Sequence, residues 1–159
     1  MKRQNETTAI DTVVIGGGQA GLCMSYVLQE EGRQHVVLEK HRVLEQWRSK
    51  RWDSFMMNTP LAYSRIMGQQ DGLSDQLMSI PLEKNLQLWD ACVKAREFPV
   101  RQHTEVFSVS QDEGGNFLVR VRSDDQGPLA YTAKNVVAAP GNYQIPNVPT
   151  CAHNLRSDI

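Results

Sequence analysis

The chain has 159 residues, of which 40% are hydrophobic and 22% charged, and its formal net charge is -1. This composition is typical of one globular domain and excludes a fibrous, coiled-coil or disordered protein. The balance of charges excludes the basic surplus on which nucleic-acid binding depends. No apolar run is long enough for a membrane span, and the N-terminus lacks the apolar core of a signal peptide, so the sequence predicts a cytoplasmic protein without membrane contact.

The first forty residues contain strand, glycine, helix and strand signals in that order. The β-branched run at residues 12–15 predicts a buried parallel strand, and G-x-G-x-x-G follows it at residues 16–21. Apolar residues then recur at helical spacing as far as Gly32, which is expected to cap the helix. A second buried run at residues 36–38 ends at Glu39. This succession predicts a dinucleotide-binding unit.

Each position in this unit has a physical role. Gly16 permits the tight turn, Gly18 has no Cβ and lets a diphosphate approach the backbone, and Gly21 lets helix and strand pack closely. The Glu39 carboxylate can accept hydrogen bonds from ribose hydroxyls and repels a 2′-phosphate, so the nucleotide is expected to be FAD or NAD rather than NADP. The predicted cofactor-binding residues of this unit are Gly16, Gly17, Gly18, Gln19, Ala20, Gly21, Glu39 and Lys40.

The middle of the chain predicts scaffold elements. A helix is expected between Pro81 and Pro99, with its apolar stripe running from Leu82 to Phe98. Alternating apolar residues then predict a three-stranded antiparallel meander, whose turns lie at residues 112–116 and 124–128 and whose last strand covers residues 129–132. Another buried parallel strand is predicted at residues 135–139, followed by a Pro-Gly turn.

Four short motifs together resemble the flavin-containing monooxygenase superfamily, in particular its bacterial members and the plant YUCCA-like proteins. They are GGGQAGL at residues 16–22, Leu-Glu at 38–39, W-R-x-x-x-W-D-S at 47–54 and N-T-P at 58–60. The resemblance runs from about residue 11 to the last residue. It implies an α/β fold: a Rossmann-like FAD-binding domain with a parallel sheet and a three-stranded antiparallel β-meander, incomplete at the C-terminus.

The resemblance also implies roles for residues outside the glycine motif. Trp47 and Arg48 would lie along FAD, Thr59 near the isoalloxazine ring, and Val106 against the adenine through its backbone. Asn58 would hold the flavin–oxygen adduct and is the one catalytic candidate. Gly141 belongs to the turn that marks the exit from the FAD domain, and like the others it is a predicted cofactor-binding residue.

The same residues can also have purely structural roles, without contact to a cofactor. Trp47 and Trp52 can be core aromatic residues, and Asn58 before Thr-Pro can serve only a turn. The basic residues Arg48, Lys50 and Arg51 can form a solvated face. The four histidines and three cysteines show no metal-ligand spacing, so no metal site is expected, and residues 40–60 lack the cysteine pair of a disulfide reductase.

The function implied by the resemblance is FAD-dependent oxygenation. NADPH reduces FAD, and the reduced flavin and O₂ form a C4a-hydroperoxide that oxygenates a small-molecule substrate. Only one G-x-G-x-x-G occurs, so the NADPH site of the full-length family is expected to be absent here. Residues 1–145 are then the N-terminal portion of the FAD domain, inactive alone, and residues 146–159 a linker toward an absent NADPH domain.

Two other functions stay open. One is a non-catalytic module that binds FAD or its ADP half, with a second chain as the partner that supplies the missing half. The other is a small NAD-binding dehydrogenase, against which the predicted meander and the aromatic segment at residues 47–52 argue.

Overall fold

The computed structural model contains, in its described part, a six-stranded mixed sheet with helices packed against it. The described residues are 7–60, 79–123, 128–142, 145 and 147–156. The elements in chain order are β1 (Thr7–Ile15), α1 (Gln19–Glu30), β2 (His35–Leu38), α2 (Glu45–Ser49), α3 (Leu82–Arg96), β3 (Val100–Arg101), β4 (Thr104–Gln111), β5 (Phe117–Ser123), β6 (Ala130–Ala138) and a 3-10 helix (Thr150–Asn154). The sheet order is β3-β2-β1-β6-β5-β4, which confirms the predicted fold class.

Strand β1 lies at the centre of the parallel half of the sheet. It pairs in parallel with β2 on one side and with β6 on the other, so that Val13 lies opposite both Val36 and Val136. Val13 and Val14 point to opposite faces, yet both are fully buried. A strand covered on both faces must be apolar at successive positions, which explains the unbroken β-branched run in the sequence.

Helix α1 joins β1 to β2 and ends where the sequence predicted. Gly32 adopts a φ of +63°, its N–H donates to the Gln29 carbonyl (2.9 Å), and the Arg33 N–H donates to the Leu28 carbonyl (2.8 Å). These two bonds and the left-handed glycine form a Schellman cap. Leu28 is buried with Val14 beneath the helix, so the cap also fixes the face that α1 packs on the sheet.

The meander is confirmed, but its third strand is longer than predicted. Residues 129–132 and 135–139 are predicted as two strands, but all of these residues except Leu129 and Ala139 belong to the single strand β6, which continues through Ala133 and Lys134. The first half of β6 pairs with β5, and its whole length pairs with β1. Val136 and Val137 are only partly buried, so the predicted full burial of this segment is wrong. Most of the predicted turn at residues 124–128 lies outside the described residues.

Helix α3 packs its predicted apolar stripe on the core but ends before Pro99. Pro81 directly precedes the helix, which ends at Arg96 because Glu97 adopts a φ of +50°. The residues that α3 buries are Asn85, Trp89 and Cys92; of the predicted apolar stripe, Trp89 and Phe98 are buried, and Leu86 and Val93 are half-buried against the same cluster. The predicted stripe therefore faces the core, and Asn85, a polar residue beside it, is the buried position that hydrophobic periodicity did not predict.

Candidate dinucleotide-binding site

A cavity of about 750 Å³ opens at the edge of the sheet where three parallel strands end. The residues that directly follow β1, β2 and β6, namely Gly16, Glu39 and Ala139, all line it. From β1 the sheet continues to β2 on one side and to β6 on the other, so the cavity lies where the strand order reverses. Ligands of open α/β sheets bind at such a reversal, outside the carboxyl ends of the strands.

Most of the cofactor residues predicted from the sequence meet at this cavity. They come from the glycine loop and the start of α1, the end of β2, helix α2, strand β4 and the turn after β6. The nine that line it are Gly16, Gly18, Gln19, Ala20, Glu39, Lys40, Trp47, Val106 and Gly141. Residues far apart in the sequence thus surround one space, although the role of each toward a cofactor stays a prediction.

The three motif glycines of the loop differ in the space around them. A Cβ at Gly16, whose φ is +107°, would lie 2.2 Å from the Ala139 carbonyl oxygen, and a Cβ at Gly21 would lie 1.9 Å from the Gly16 carbonyl oxygen. A Cβ at Gly18 would meet no atom within 4 Å. Gly16 and Gly21 are therefore required by packing, whereas the space beside Gly18 is open toward the cavity and fits a nucleotide.

The Glu39 carboxylate is turned toward the glycine loop. Its Oε2 accepts a hydrogen bond from the Gly17 N–H (2.7 Å), and its Oε1 accepts one from the His41 N–H (2.8 Å). Each carboxylate oxygen has two lone pairs, so both keep capacity for a ribose hydroxyl. Two backbone donors thus hold the carboxylate in place beside the glycine loop. Gly17 itself is buried behind this carboxylate and does not line the cavity.

Two carboxylates of the cavity wall are neutralised by ion pairs. Lys40 Nζ lies 2.9 Å from Glu105 Oε1, and this hydrogen bond holds the pKa of Glu105 below its ordinary value. Arg42 Nε lies 2.8 Å from Glu45 Oε2, and the hydrogen bond from Arg42 lowers the pKa of Glu45 to about 2. Glu45 and Glu105 therefore add little net negative charge to the cavity.

The segment after β2 is fastened to the glycine loop. The N–H of Leu44, a buried residue with a φ of +60°, donates to the Gly17 carbonyl (3.0 Å). Trp47 lines the cavity on one side and packs on the core cluster around Leu44 on the other, so it is both a core and a cavity residue. Trp52 is 64% exposed, which excludes the interpretation of Trp52 as a core aromatic residue.

Five predicted residues do not line the cavity: Gly17, described above, Gly21, which packs against the Gly16 carbonyl, and the three residues Arg48, Asn58 and Thr59. The Arg48 guanidinium donates to the Asp90 carboxylate on α3 and to the Val43 carbonyl (2.9 Å), so it ties α2 to α3. Asn58 and Thr59 are exposed. The cofactor roles assigned to these three residues by resemblance stay predictions, since no contact with the cavity supports them.

Arg51 is one of the cavity-lining residues for which the sequence predicted no cofactor role, and its surroundings are unusual. It lines the cavity, and its guanidinium carbon lies 5.4 Å from the ring centroids of both Trp47 and Phe55. Its Nε is buried without a hydrogen-bond partner. The available signal was the spacing, because aromatic residues four positions before and after Arg51 can hold its guanidinium between their rings.

Within the described part of the chain, no group of three or more His, Cys, Asp or Glu is arranged to hold a metal ion. No helix found there is long and apolar enough to cross a membrane. Burial raises the pKa of the Cys23 and Cys92 thiols, so both are poor nucleophiles at neutral pH.

The fold and the cavity together are those of a Rossmann-like domain of the FAD-binding type. The family described as "Pyridine nucleotide-disulphide oxidoreductase" matches residues 13–155, and the chain belongs to this family. The "Uncharacterized oxidoreductase CzcO" of Bacillus subtilis (strain 168) is 32% identical over 151 residues, which are 94% of this chain and 41% of that protein. The chain thus spans well under half the length of the curated relatives it matches.

Two solved structures illustrate the structural likeness. The flavin-containing monooxygenase from Stenotrophomonas maltophilia superposes with a TM-score of 0.75 at 26% identity, covering 90% of this chain and 42% of that one. The bacillithiol disulfide reductase Bdr (YpdA) from Bacillus cereus superposes with a TM-score of 0.78 at 22% identity, covering 90% of this chain and 43% of that one, and shows the fold alone. These matches confirm the resemblance to the flavin-containing monooxygenase superfamily.

Proposed function

We propose that the chain binds FAD in the cavity at the glycine loop and forms the FAD-binding portion of an NADPH-dependent flavin monooxygenase. The observation that carries this proposal is the pairing of open space at Gly18 with a Glu39 carboxylate held toward the same loop. The first feature admits a diphosphate and the second admits a ribose, and a dinucleotide presents both groups.

Different residues of the chain would bind different parts of the cofactor. The backbone N–H groups at the start of α1 would hold the diphosphate, Glu39 would accept from the ribose, and Val106 would contact the adenine. Trp47 would border the flavin half and exclude water from it. FAD, when bound, supplies the redox chemistry, including hydride acceptance and reaction with O₂. The protein supplies binding and orientation.

The wider activity rests on the family and on its relatives. A flavin-containing monooxygenase is among the similar solved structures, and the family consists of oxidoreductases. We therefore propose NADPH as the reductant, and O₂ with a small molecule as the substrates. Residues 1–145 are proposed as FAD domain and residues 146–159 as linker. The remaining wall of the active site would come from outside this chain, either from a longer protein or from a second chain.

The experiment is to purify the chain, record its flavin spectrum, and titrate it with FAD and with NAD by isothermal calorimetry. We expect one FAD per chain, weaker binding of NAD, and no steady oxidation of NADPH in the presence of O₂. In Glu39→Gln one carboxylate oxygen remains as an amide oxygen and the other is replaced by an NH₂ group, which cannot accept a hydrogen bond. We therefore expect this variant to bind FAD about tenfold more weakly. Glu113→Gln, a neutralisation in the turn after β4, is the matched control.

Each other outcome changes the proposal in a defined way. Tight NAD binding without FAD binding would contradict the proposed function and favour the small NAD-binding dehydrogenase. Stoichiometric FAD with sustained NADPH turnover would contradict the inactivity of the isolated chain. FAD binding that is unaffected by Glu39→Gln would contradict the assigned ribose contact.

A further inference from the structure

Arg51 has no anionic partner among the residues that the structure describes. No hydrogen bond or ion pair joins its side chain to the described residues, and its Nε is buried without an acceptor. The aromatic rings of Trp47 and Phe55 contact the guanidinium, each with its centroid 5.4 Å from the guanidinium carbon. The faces of the two rings attract the positive charge, but they are not hydrogen-bond acceptors for the N–H groups in the plane of the guanidinium. These N–H groups therefore remain available to an oxygen acceptor.

The other ionic side chains of the cavity wall already have partners, although Glu39 keeps its negative charge. Lys40 is paired with Glu105, Glu45 is paired with an arginine outside the cavity, and Glu39 accepts from two backbone N–H groups. In the described part of the cavity wall, Arg51 is therefore the cationic side chain that lacks a carboxylate. A cation placed in this way favours an anionic ligand in the same cavity.

We propose that Arg51 binds the diphosphate of the dinucleotide, opposite the backbone N–H groups of the glycine loop. This inference rests on the proposed FAD site. A diphosphate carries two negative charges, whereas the start of α1 offers only about half a positive charge, so a side-chain cation in the same cavity would strengthen binding. The two rings hold the guanidinium in place before the ligand binds, and the planar N–H groups match phosphate oxygens.

The experiment compares the affinities of the purified chain and its variants for FAD, ADP and adenosine by calorimetry at low and high NaCl. Arg51→Met keeps the apolar stem between Trp47 and Phe55 but removes the charge. We expect it to weaken FAD and ADP binding by about tenfold or more and to leave adenosine binding within about twofold, because adenosine has no phosphate. Arg51→Lys is expected to restore part of the loss. The matched control is Lys50→Met, which makes the same charge change at the adjacent, exposed residue.

The outcomes separate this inference from the function on which it rests. If the unmodified chain binds neither FAD nor ADP, the proposed function fails and the role of Arg51 fails with it. If the chain binds both and Arg51→Met binds ADP equally well, or loses FAD but not ADP, only the role of Arg51 is refuted. An equal loss in Lys50→Met would show a diffuse charge effect and also refute the direct contact. Should Arg51→Met not fold, a selective loss of ADP over adenosine in Arg51→Lys supports the contact, and its absence overturns it.

Discussion

Gly18 and Gly21 belong to the same loop, yet a methyl group would meet different surroundings at the two positions. At Gly18 it would point into open space beside the cavity, and at Gly21 it would collide with the Gly16 carbonyl oxygen at 1.9 Å. Gly16 is itself fixed, since its N–H donates to the Leu38 carbonyl (2.8 Å). A substitution at Gly18 thus tests whether a ligand approaches the loop, and a substitution at Gly21 tests how closely the loop is packed.

We expect Gly18→Ala to lower FAD affinity by about tenfold or more while the melting temperature of the free chain stays within a few degrees. The added Cβ would occupy the space through which a diphosphate reaches the backbone, but it strains no contact of the free protein. Titration with FAD and thermal unfolding without FAD are the two measurements. An unchanged FAD affinity would show that the diphosphate does not approach at Gly18.

Gly21→Ala should give the opposite pattern and serves as the comparison. The collision is with backbone, which cannot rotate away, so the free energy of unfolding is expected to fall by about 2 kcal/mol or more. Urea unfolding monitored by circular dichroism measures it. A fully stable Gly21→Ala protein would contradict the close packing of α1 on β1.

Helix α3 supports the cavity wall from behind. Its buried Trp89 belongs to one apolar cluster with Val43 and Leu44, and Trp47 packs against that cluster. The ion pair of Arg48 with α3 adds a polar connection on the surface of the same contact. The position of α2 at the cavity therefore depends on a helix that contributes no cavity-lining residue itself.

Trp89→Ala is expected to lower the free energy of unfolding by about 3–5 kcal/mol, because it removes a buried indole and leaves a void. Trp52→Ala is the matched control: its side chain is 64% exposed, so a loss below about 1 kcal/mol is expected. Urea denaturation of the two variants against the unmodified chain measures both. Equal losses in the two variants would show that α3 does not anchor this region.

The whole molecule should lose stability in acid. Hydrogen bonds from Arg33, Arg42 and Lys40 lower the pKa of Asp11, of Glu45 (to about 2) and of Glu105, respectively. A carboxyl group whose pKa is lower in the folded state stabilises the protein above its unfolded pKa, and this stabilisation is lost as pH falls through the folded pKa. The loss is therefore expected between about pH 4.5 and pH 2.

The measurement is the melting temperature from pH 7 to pH 2 in low salt and in 1 M NaCl. We expect a level region above about pH 5, a fall below it, and a smaller fall in 1 M NaCl, because all three pairs are exposed enough to be screened. Lys40→Met should raise the pKa of Glu105 toward its ordinary value, as followed by NMR titration. A melting temperature that rises on acidification would contradict the sign of these effects.

The sequence predicted those parts of the molecule that depend on local patterns. Glycine spacing located the turn around Gly16, and β-branched runs located β1 and β2, because each follows from backbone geometry over a few residues. The continuous strand β6 was not predicted, since two pairings of opposite direction overlap on one segment and only tertiary contacts reveal this. Arg51 was missed for a similar reason: whether an arginine meets water, a carboxylate or two rings depends on neighbours in space.

The pairing of β1 with β6 has a consequence for synthesis on the ribosome. Thr7 lies beside Ala130, so one edge of the central strand stays unpaired while about 120 further residues are synthesised. At ~5–20 residues per second this delay is on the order of 10 s, during which a strongly apolar edge is open to other chains. Nascent chains are accordingly expected to need a holding chaperone until translation has passed β6, and stalling before that point should direct them to aggregation.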